Sequence, residues 1–199
     1  ARRIEGDVPV TTAATDNVAA AALAAETMFA LVGEGAQVGV IVHDQTSRTG
    51  IDRRDGFLQQ MEAKHPNIEV VAVEYGAGDP VKSADFAKAI MTKNPDLKGF
   101  FGANEGSIKG VLNALKETGN PGKIVAIGYD SGQQQITAIK DGTQAGAITQ
   151  NPIGIGAKCV SAAMDAIAGK SMEKIIDTGY YWYDKTNIDA PEIQAVLYQ

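Results

Sequence analysis

A short apolar run, a polar loop and a helical pattern follow one another in residues 37–64, which read QVGVIVHDQTSRTGIDRRDGFLQQMEAK. The run Gln37–His43 is nearly continuously apolar, which is typical of a strand buried on both faces of a sheet. The loop DQTSRTG separates it from a helix predicted from Ile51 to Lys64. This order of strand, loop and helix is the building unit of a parallel α/β sheet.

The same unit recurs along the chain and predicts one doubly wound α/β lobe over residues 16–150. Four more strands are predicted, at Ile68–Glu74, Leu97–Ala103, Lys123–Tyr129 and Ala145–Thr149. A helix predicted from about Asp16 to Val32 precedes the first strand, and its apolar stripe consists of Val18, Ala22, Ala25, Phe29 and Val32.

The two ends of the chain differ from this lobe, and the sequence predicts four segments. Residues 1–15 contain an extended piece, Val8–Ala14, and residues 151–187 contain a helix followed by the extended piece Ile175–Tyr183. Both extended pieces are expected to be remnants of a second sheet, and residues 188–199 to be a tail of the main lobe. Such a small remnant is a poor core by itself, and we expect the chain either to self-associate through it or to be locally disordered there.

Composition excludes several classes of function. The formal net charge of −6 offers no basic field for nucleic acid. A single cysteine, Cys159, and two histidines suggest neither a metal site nor a disulfide framework, and we expect Cys159 to be a small buried residue. Phosphate-binding and nucleophile-elbow motifs are absent from the sequence, so we expect a protein that is not an enzyme and uses no cofactor.

Polar residues follow the predicted strands, at the edge of a parallel sheet where ligands bind. They are Asp44, Arg48, Arg53, Asn104, Asp130 and Gln150. Carboxylate, amide and guanidinium groups together suit the hydroxyl groups of a sugar or polyol.

Each of these residues also has a purely structural interpretation. Asn104 and Asp130 are good helix N-caps, and Gln150 could be an ordinary turn residue. Arg48 and Arg53 could instead pair with nearby aspartates at the surface. Asp44 and Asp130 could in principle form an acid/base pair acting on a glycoside, although no motif supports that alternative.

Several stretches together resemble the latter part of type I periplasmic binding proteins of the ribose-binding cluster. They occur in the family's order, and they are TDNVAAAALAA, DRRDGF, NPDLKGFFGANE, IVAIGYDSG, KDGTQAGAITQNPIGIGAKCV and TNID. The resemblance implies two α/β lobes that close over a sugar, with the closed form recognised by an ABC transporter permease. It further implies that the lobe preceding Ala1 is missing, so that this chain alone binds sugar weakly or not at all.

The resemblance also assigns residues. It implies that Asn104, Asp130 and Gln150 bond sugar hydroxyls, together with an arginine that is Arg53 in ungapped register or Arg48 if the loop is shifted. It places Gly78 where relatives carry an aromatic ring, which removes a stacking platform. Crossovers between lobes are expected near residues 15–16, 150–151 and 187–189.

The leading hypothesis is therefore a sugar- or polyol-binding receptor of an ABC transporter. The expected location is the periplasm, or a lipid-anchored extracellular position in a Gram-positive source. The alternative from another class is the effector-binding domain of a lactose-repressor-type transcription regulator, which shares this fold.

Overall fold

The computed structural model describes residues 9–198, and Val8 of the predicted first strand lies outside them. The strands are β1 (Thr12–Ala14), β2 (Gln37–Val42), β3 (Glu69–Tyr75), β4 (Leu97–Gly102), β5 (Val125–Tyr129), β6 (Gly146–Gln150), β7 (Ile175–Asp177) and β8 (Tyr180–Asp184). The helices are α1 (Asn17–Val32), α2 (Arg48–Lys64), α3 (Pro80–Lys93), α4 (Glu105–Glu117), α5 (Gln133–Asp141), α6 (Pro152–Ile167) and α7 (Pro191–Gln194).

The main sheet has six strands in the order β3-β2-β4-β5-β6-β8. Its first five strands run parallel, and β8 pairs antiparallel with β6. The chain passes from β2 to β3 on one side and then places β4 on the other side of β2. This reversal makes the carboxyl ends of β2 and β4 the switch point at which open α/β sheets bind ligands. The predicted doubly wound α/β class is confirmed.

Helices cover both faces of the sheet, which explains its continuously apolar strands. Val40 and Phe101 face a core shared with α1 and α2. Ile41 and Phe100 point the other way, into a core shared with α3 and α4.

Helix α1 buries a face that matches the predicted stripe only in part: Ala25 is buried, Phe29 and Val32 pack against the core, and Val18 is exposed. Val18 is 39% exposed, and the buried apolar residues of the helix are Ala20, Ala21, Ala24, Ala25 and Met28. Small side chains on that face allow α1 to approach the sheet and α2 closely. Gly56 of α2 serves the same purpose, because a Cβ there would overlap the backbone of Val18.

The extended stretch 175–183 divides between two sheets. Strand β7 pairs in parallel with β1 in a separate two-stranded sheet, whereas β8 is the sixth strand of the main sheet. The expectation that all of Ile175–Tyr183 belongs to a second sheet is therefore wrong for its second half. The third crossover, expected at residues 187–189, lies at Thr178–Gly179, where Gly179 turns the chain with a φ of 76°. The chain leaves the small sheet after Ala14 and the main sheet after Gln150, close to the other two expected positions.

Helix α6 is largely exposed, and Ala162 is its buried residue. Ile153, Val160, Met164 and Ile167 are all exposed, the last of them by 88%. Cys159 is exposed as well, so the expectation of a buried cysteine is wrong. Self-association through this face and the small sheet stays a prediction. Within residues 9–198, no helix has both the length and the apolar composition needed to cross a bilayer.

Candidate functional site

The guanidinium of Arg53 is the centre of a polar cluster below the carboxyl ends of the parallel strands. The residue is 4% exposed although it is charged. Its Nε donates to Asn17 Oδ1 at 2.9 Å, its Nη1 to the Ala103 carbonyl at 2.8 Å and its Nη2 to Gln150 Oε1 at 3.3 Å. A buried charge is tolerated when hydrogen bonds replace its lost hydration, and three such bonds do so here.

Tyr129, the last residue of β5, supports this guanidinium from one face. The Arg53 Cζ lies 3.6 Å from the centroid of the Tyr129 ring, which is a close cation–π contact. The Tyr129 hydroxyl donates to Asn17 Oδ1 at 2.9 Å. Burial raises the pKa of Tyr129 to about 12, so the phenol keeps its proton at neutral pH and remains a donor.

Asp130 presents a carboxylate from a strained backbone position. Its φ is 77°, a left-handed conformation that few non-glycine residues adopt and that often occurs at functional sites. Its Oδ2 accepts from the Glu105 N–H at 3.0 Å and lies 3.9 Å from Arg53 Nη1. Within the described part of the chain Oδ1 has no hydrogen-bond partner, and the side chain is 15% exposed. One carboxylate oxygen is therefore free to accept from a ligand.

The Asp130 backbone is held by a strand that comes late in the sequence. The fully buried Tyr183 of β8 donates its hydroxyl to the Asp130 carbonyl at 2.7 Å. The Asp130 N–H donates to the Ile148 carbonyl at 2.7 Å. Asp130 does not cap α5, whose N-cap is Gly132; its carboxylate instead meets the first turn of α4.

Asn104 is the N-cap of α4, as expected, and it also faces the candidate site. Its Oδ1 accepts from the Ser107 N–H at 2.9 Å. Its Nδ2 has no hydrogen-bond acceptor among residues 9–198 and remains available as a donor. A Cβ built on Gly78 would lie 3.5 Å from this nitrogen, so the loop after β3 passes beside it without a side chain.

Gln150 uses both ends of its amide inside the protein. Its Oε1 accepts from Arg53, and its Nε2 donates to Thr15 Oγ1 at 3.0 Å. Thr15 Oγ1 also lies 3.4 Å from Thr178 Oγ1. Gln150 therefore joins the arginine to the segments that connect the two sheets.

The structure does not bring Arg48 and Asp44 into this cluster. Arg48 is exposed and forms a 2.6 Å ion pair with Asp52, which was its structural alternative. It lines a cleft of about 400 Å³ between β1 and the start of α2, and Thr15 and Asn17 also line this cleft. Asp44 Oδ1 accepts from the N–H groups of Thr46 and Ser47, and these bonds hold its pKa well below the usual range.

Sequence reasoning missed Asn17, Tyr129 and Glu105 as parts of the site. Glu105 Oε2 accepts from the Gly132 N–H at 2.9 Å and from Gln135 Nε2 at 2.8 Å, which ties α4 to α5. In the sequence, Tyr129 has the pattern of an ordinary strand residue, and Asn17 has the position of a residue that starts a helix. A buried arginine requires acceptors, and that requirement is the one signal that could have prompted a search for them.

Together these groups suit a ligand rich in hydroxyl groups. The free oxygen of Asp130 accepts, the Asn104 amide donates, and the Arg53 guanidinium lies between Asp130 and Gln150. In residues 9–198, no cluster of three or more histidine, cysteine or carboxylate side chains has the arrangement to hold a metal ion.

Residues 3–171 match the family model described as periplasmic binding protein domain. The chain is 31% identical over 169 residues to the ribose import binding protein RbsB of Salmonella typhimurium, covering 85% of this chain and 56% of that protein. It is 30% identical over 153 residues to the D-allose-binding periplasmic protein of Escherichia coli, covering 76% and 49% respectively. The chain thus spans about half the length of these curated relatives.

Solved structures agree with these relatives. An ABC transporter solute-binding protein from Agrobacterium vitis with bound D-fucose has a TM-score of 0.90 and 34% identity, over 94% of this chain and 64% of that one. A second protein of that class from the same organism, bound with α-D-tagatopyranose, has a TM-score of 0.91 and 32% identity, over 99% and 66%. The family model alone covers most of the sequence. The chain therefore belongs to the periplasmic binding protein domain family.

Proposed function

We propose that this chain forms the ligand-binding lobe of a sugar- or polyol-binding receptor that serves an ABC transporter. One observation carries the proposal: Asn104 and Asp130, which follow the neighbouring strands β4 and β5, each keep one free hydrogen-bonding group beside the buried Arg53. Acceptor, donor and guanidinium together match a ring of hydroxyl groups. The role is binding without catalysis.

We further propose that the sugar lies between this lobe and a second lobe, to which β1, β7 and α6 belong. Closure of the lobes would signal occupancy to the permease. The family implies a location outside the cytoplasm; we propose the periplasm, or a lipid-anchored extracellular position in a Gram-positive source. The relatives are named for sugar binding and import, which favours the receptor over the repressor effector domain.

Titration of the isotopically labelled chain with D-allose, D-ribose, D-fucose and D-tagatose, followed by amide NMR, tests the proposal. We expect saturable shifts at Asn104 and Asp130 in the millimolar range, because one lobe alone offers part of the contacts. Asp130→Asn keeps a residue that tolerates the left-handed backbone and removes the charge. It should weaken binding by roughly 10- to 100-fold, the effect of losing a charged hydrogen bond.

Asp165→Asn is the matched control, since it removes a carboxylate from α6 that lies away from the cluster. It should leave the affinity unchanged. Of the two outcomes expected for this chain alone, weak binding or none, the proposal commits to weak binding. It is therefore wrong if none of these sugars shifts the site, or if Asp130→Asn binds as well as the control. Micromolar binding by this chain would support the function and contradict the expectation that its site is incomplete.

A further inference from the structure

We propose that Asn17 is a positioning residue that sets the orientation of the Arg53 guanidinium and, through it, the selectivity among sugars. The effect on selectivity rests on the proposed function, whereas the effect on the guanidinium does not. Asn17 stands at the start of α1, 36 positions before Arg53, and is 7% exposed.

The Asn17 amide can adopt one orientation in this environment. Its Oδ1 receives hydrogen bonds from Arg53 Nε and from the Tyr129 hydroxyl, both at 2.9 Å. Its Nδ2 donates to the Thr15 carbonyl at 3.1 Å. An arginine Nε–H can only donate, so the oxygen must face Arg53 and the nitrogen must face the carbonyl. The oxygen is therefore fixed in place.

This fixed oxygen decides which donors Arg53 has left. A guanidinium carries five N–H groups. Asn17, Ala103 and Gln150 each accept one of them, which leaves one N–H on each terminal nitrogen. The Tyr129 ring defines the plane and the Asn17 oxygen defines the rotation within it, so both remaining donors have fixed directions.

Removal of the oxygen would release that rotation. Asn17→Ala leaves the Arg53 Nε–H and the Tyr129 hydroxyl buried without their acceptor. Because an unsatisfied buried donor costs free energy, both side chains are expected to rotate toward other acceptors. The guanidinium would then present its free N–H groups in a different direction or in several. Sugars that differ in the position of one hydroxyl would be distinguished less well, because selectivity depends on directed donors.

The side-chain Nε–H signal of Arg53 in the sugar-free 199-residue chain tests the positioning directly. Arg53→Lys identifies the signal by its disappearance. We expect a sharp, slowly exchanging signal in the wild type, a lost or displaced signal in Asn17→Ala, and an unchanged one in Leu31→Ala, an exposed site on the same helix. An unchanged signal in Asn17→Ala would overturn the proposal.

Sugar affinities give the second readout. A loss of folded population weakens binding of every sugar by one common factor. Misdirected donors instead change the ratios of affinity among D-allose, D-ribose, D-fucose and D-tagatose. We expect Asn17→Ala to reduce affinity about tenfold for the preferred sugar and less for the others. Equal factors for all sugars would contradict the role in selectivity.

Tyr129→Phe provides an independent variant if Asn17→Ala does not fold. It keeps the ring beneath the guanidinium and removes the hydroxyl that also holds the Asn17 oxygen. A displaced Arg53 Nε–H signal is expected, and an unchanged one counts against the proposal. If the wild type binds none of the sugars, the proposed function fails, while the Nε–H signal still decides the positioning role.

Discussion

The hydroxyl of Tyr183 should stabilise the whole lobe by holding Asp130 in its strained conformation. Tyr183 is fully buried and donates to the Asp130 carbonyl at 2.7 Å, while Asp130 has a φ of 77°. Tyr183→Phe removes one oxygen and leaves that carbonyl without its donor. A buried group left unsatisfied costs about 1–3 kcal/mol. The free energy of unfolding should therefore fall by about that amount, and Tm by roughly 2–4 °C for each kcal/mol.

Urea unfolding followed by far-UV circular dichroism measures this loss. Tyr181→Phe is the matched control, because Tyr181 lies on the same strand, packs against the same core cluster, and makes no hydrogen bond through its hydroxyl within residues 9–198. The control should change stability by less than about 0.5 kcal/mol. Equal stabilities for the two variants would refute the reasoning. A shift of the Asp130 amide signal in Tyr183→Phe alone would tie the loss to the site.

Three further predictions concern the connections and loops around the site. Thr15→Val keeps the shape of the side chain but removes the oxygen that accepts from the Gln150 amide. The free energy of unfolding should therefore fall by about 1–2 kcal/mol. A thermal midpoint equal to that of the wild type would contradict this prediction. Gly78→Ala has room for its methyl group, but a φ of 71° costs a residue with a Cβ roughly 1–2 kcal/mol, so this variant should be less stable than the wild type. Gly156→Ala in α6 should be slightly more stable, because alanine is favoured over glycine inside a helix and the site is open. The denaturant midpoints of the two variants measure these changes. Midpoints that shift in the same direction would contradict the cost assigned to the left-handed backbone at Gly78. Because the pKa of Asp44 is lowered in the folded chain, its carboxylate stabilises the fold above the ordinary pKa of 3.8. This stabilisation is lost as the pH falls through the folded pKa. The difference in free energy of unfolding between wild type and Asp44→Ala should therefore decrease below pH 3.8. A difference that does not change with pH would show that the Asp44 carboxylate does not stabilise the fold in this way.

Local patterns along the chain determined most of the elements of this protein. Helix α1 has the predicted ends, because the Asp16 side chain caps its start and Gly33, with a φ of 78°, follows its last residue. The runs around Val40 and Phe100 predicted strands buried on both faces, and both faces are covered. Asn104 and Asp130 could be placed at one edge from the sequence, because the carboxyl ends of parallel strands meet there, whatever the order of the strands.

Tertiary structure alone decided which arginine lies in the candidate site and what holds it. Arg48 and Arg53 differ by five positions in one helix, and only the packing of α2 against the sheet buries the second and exposes the first. The contacts from Asn17 to Tyr129 and from Asp130 to Tyr183 span 112 and 53 residues. Periodicity reports which face of one element is apolar, whereas such contacts depend on strand order and register, which bring distant residues together. The pairing of β8 with β6 also depends on strand order, which local patterns do not determine. That pairing brings the Tyr183 hydroxyl to the Asp130 carbonyl.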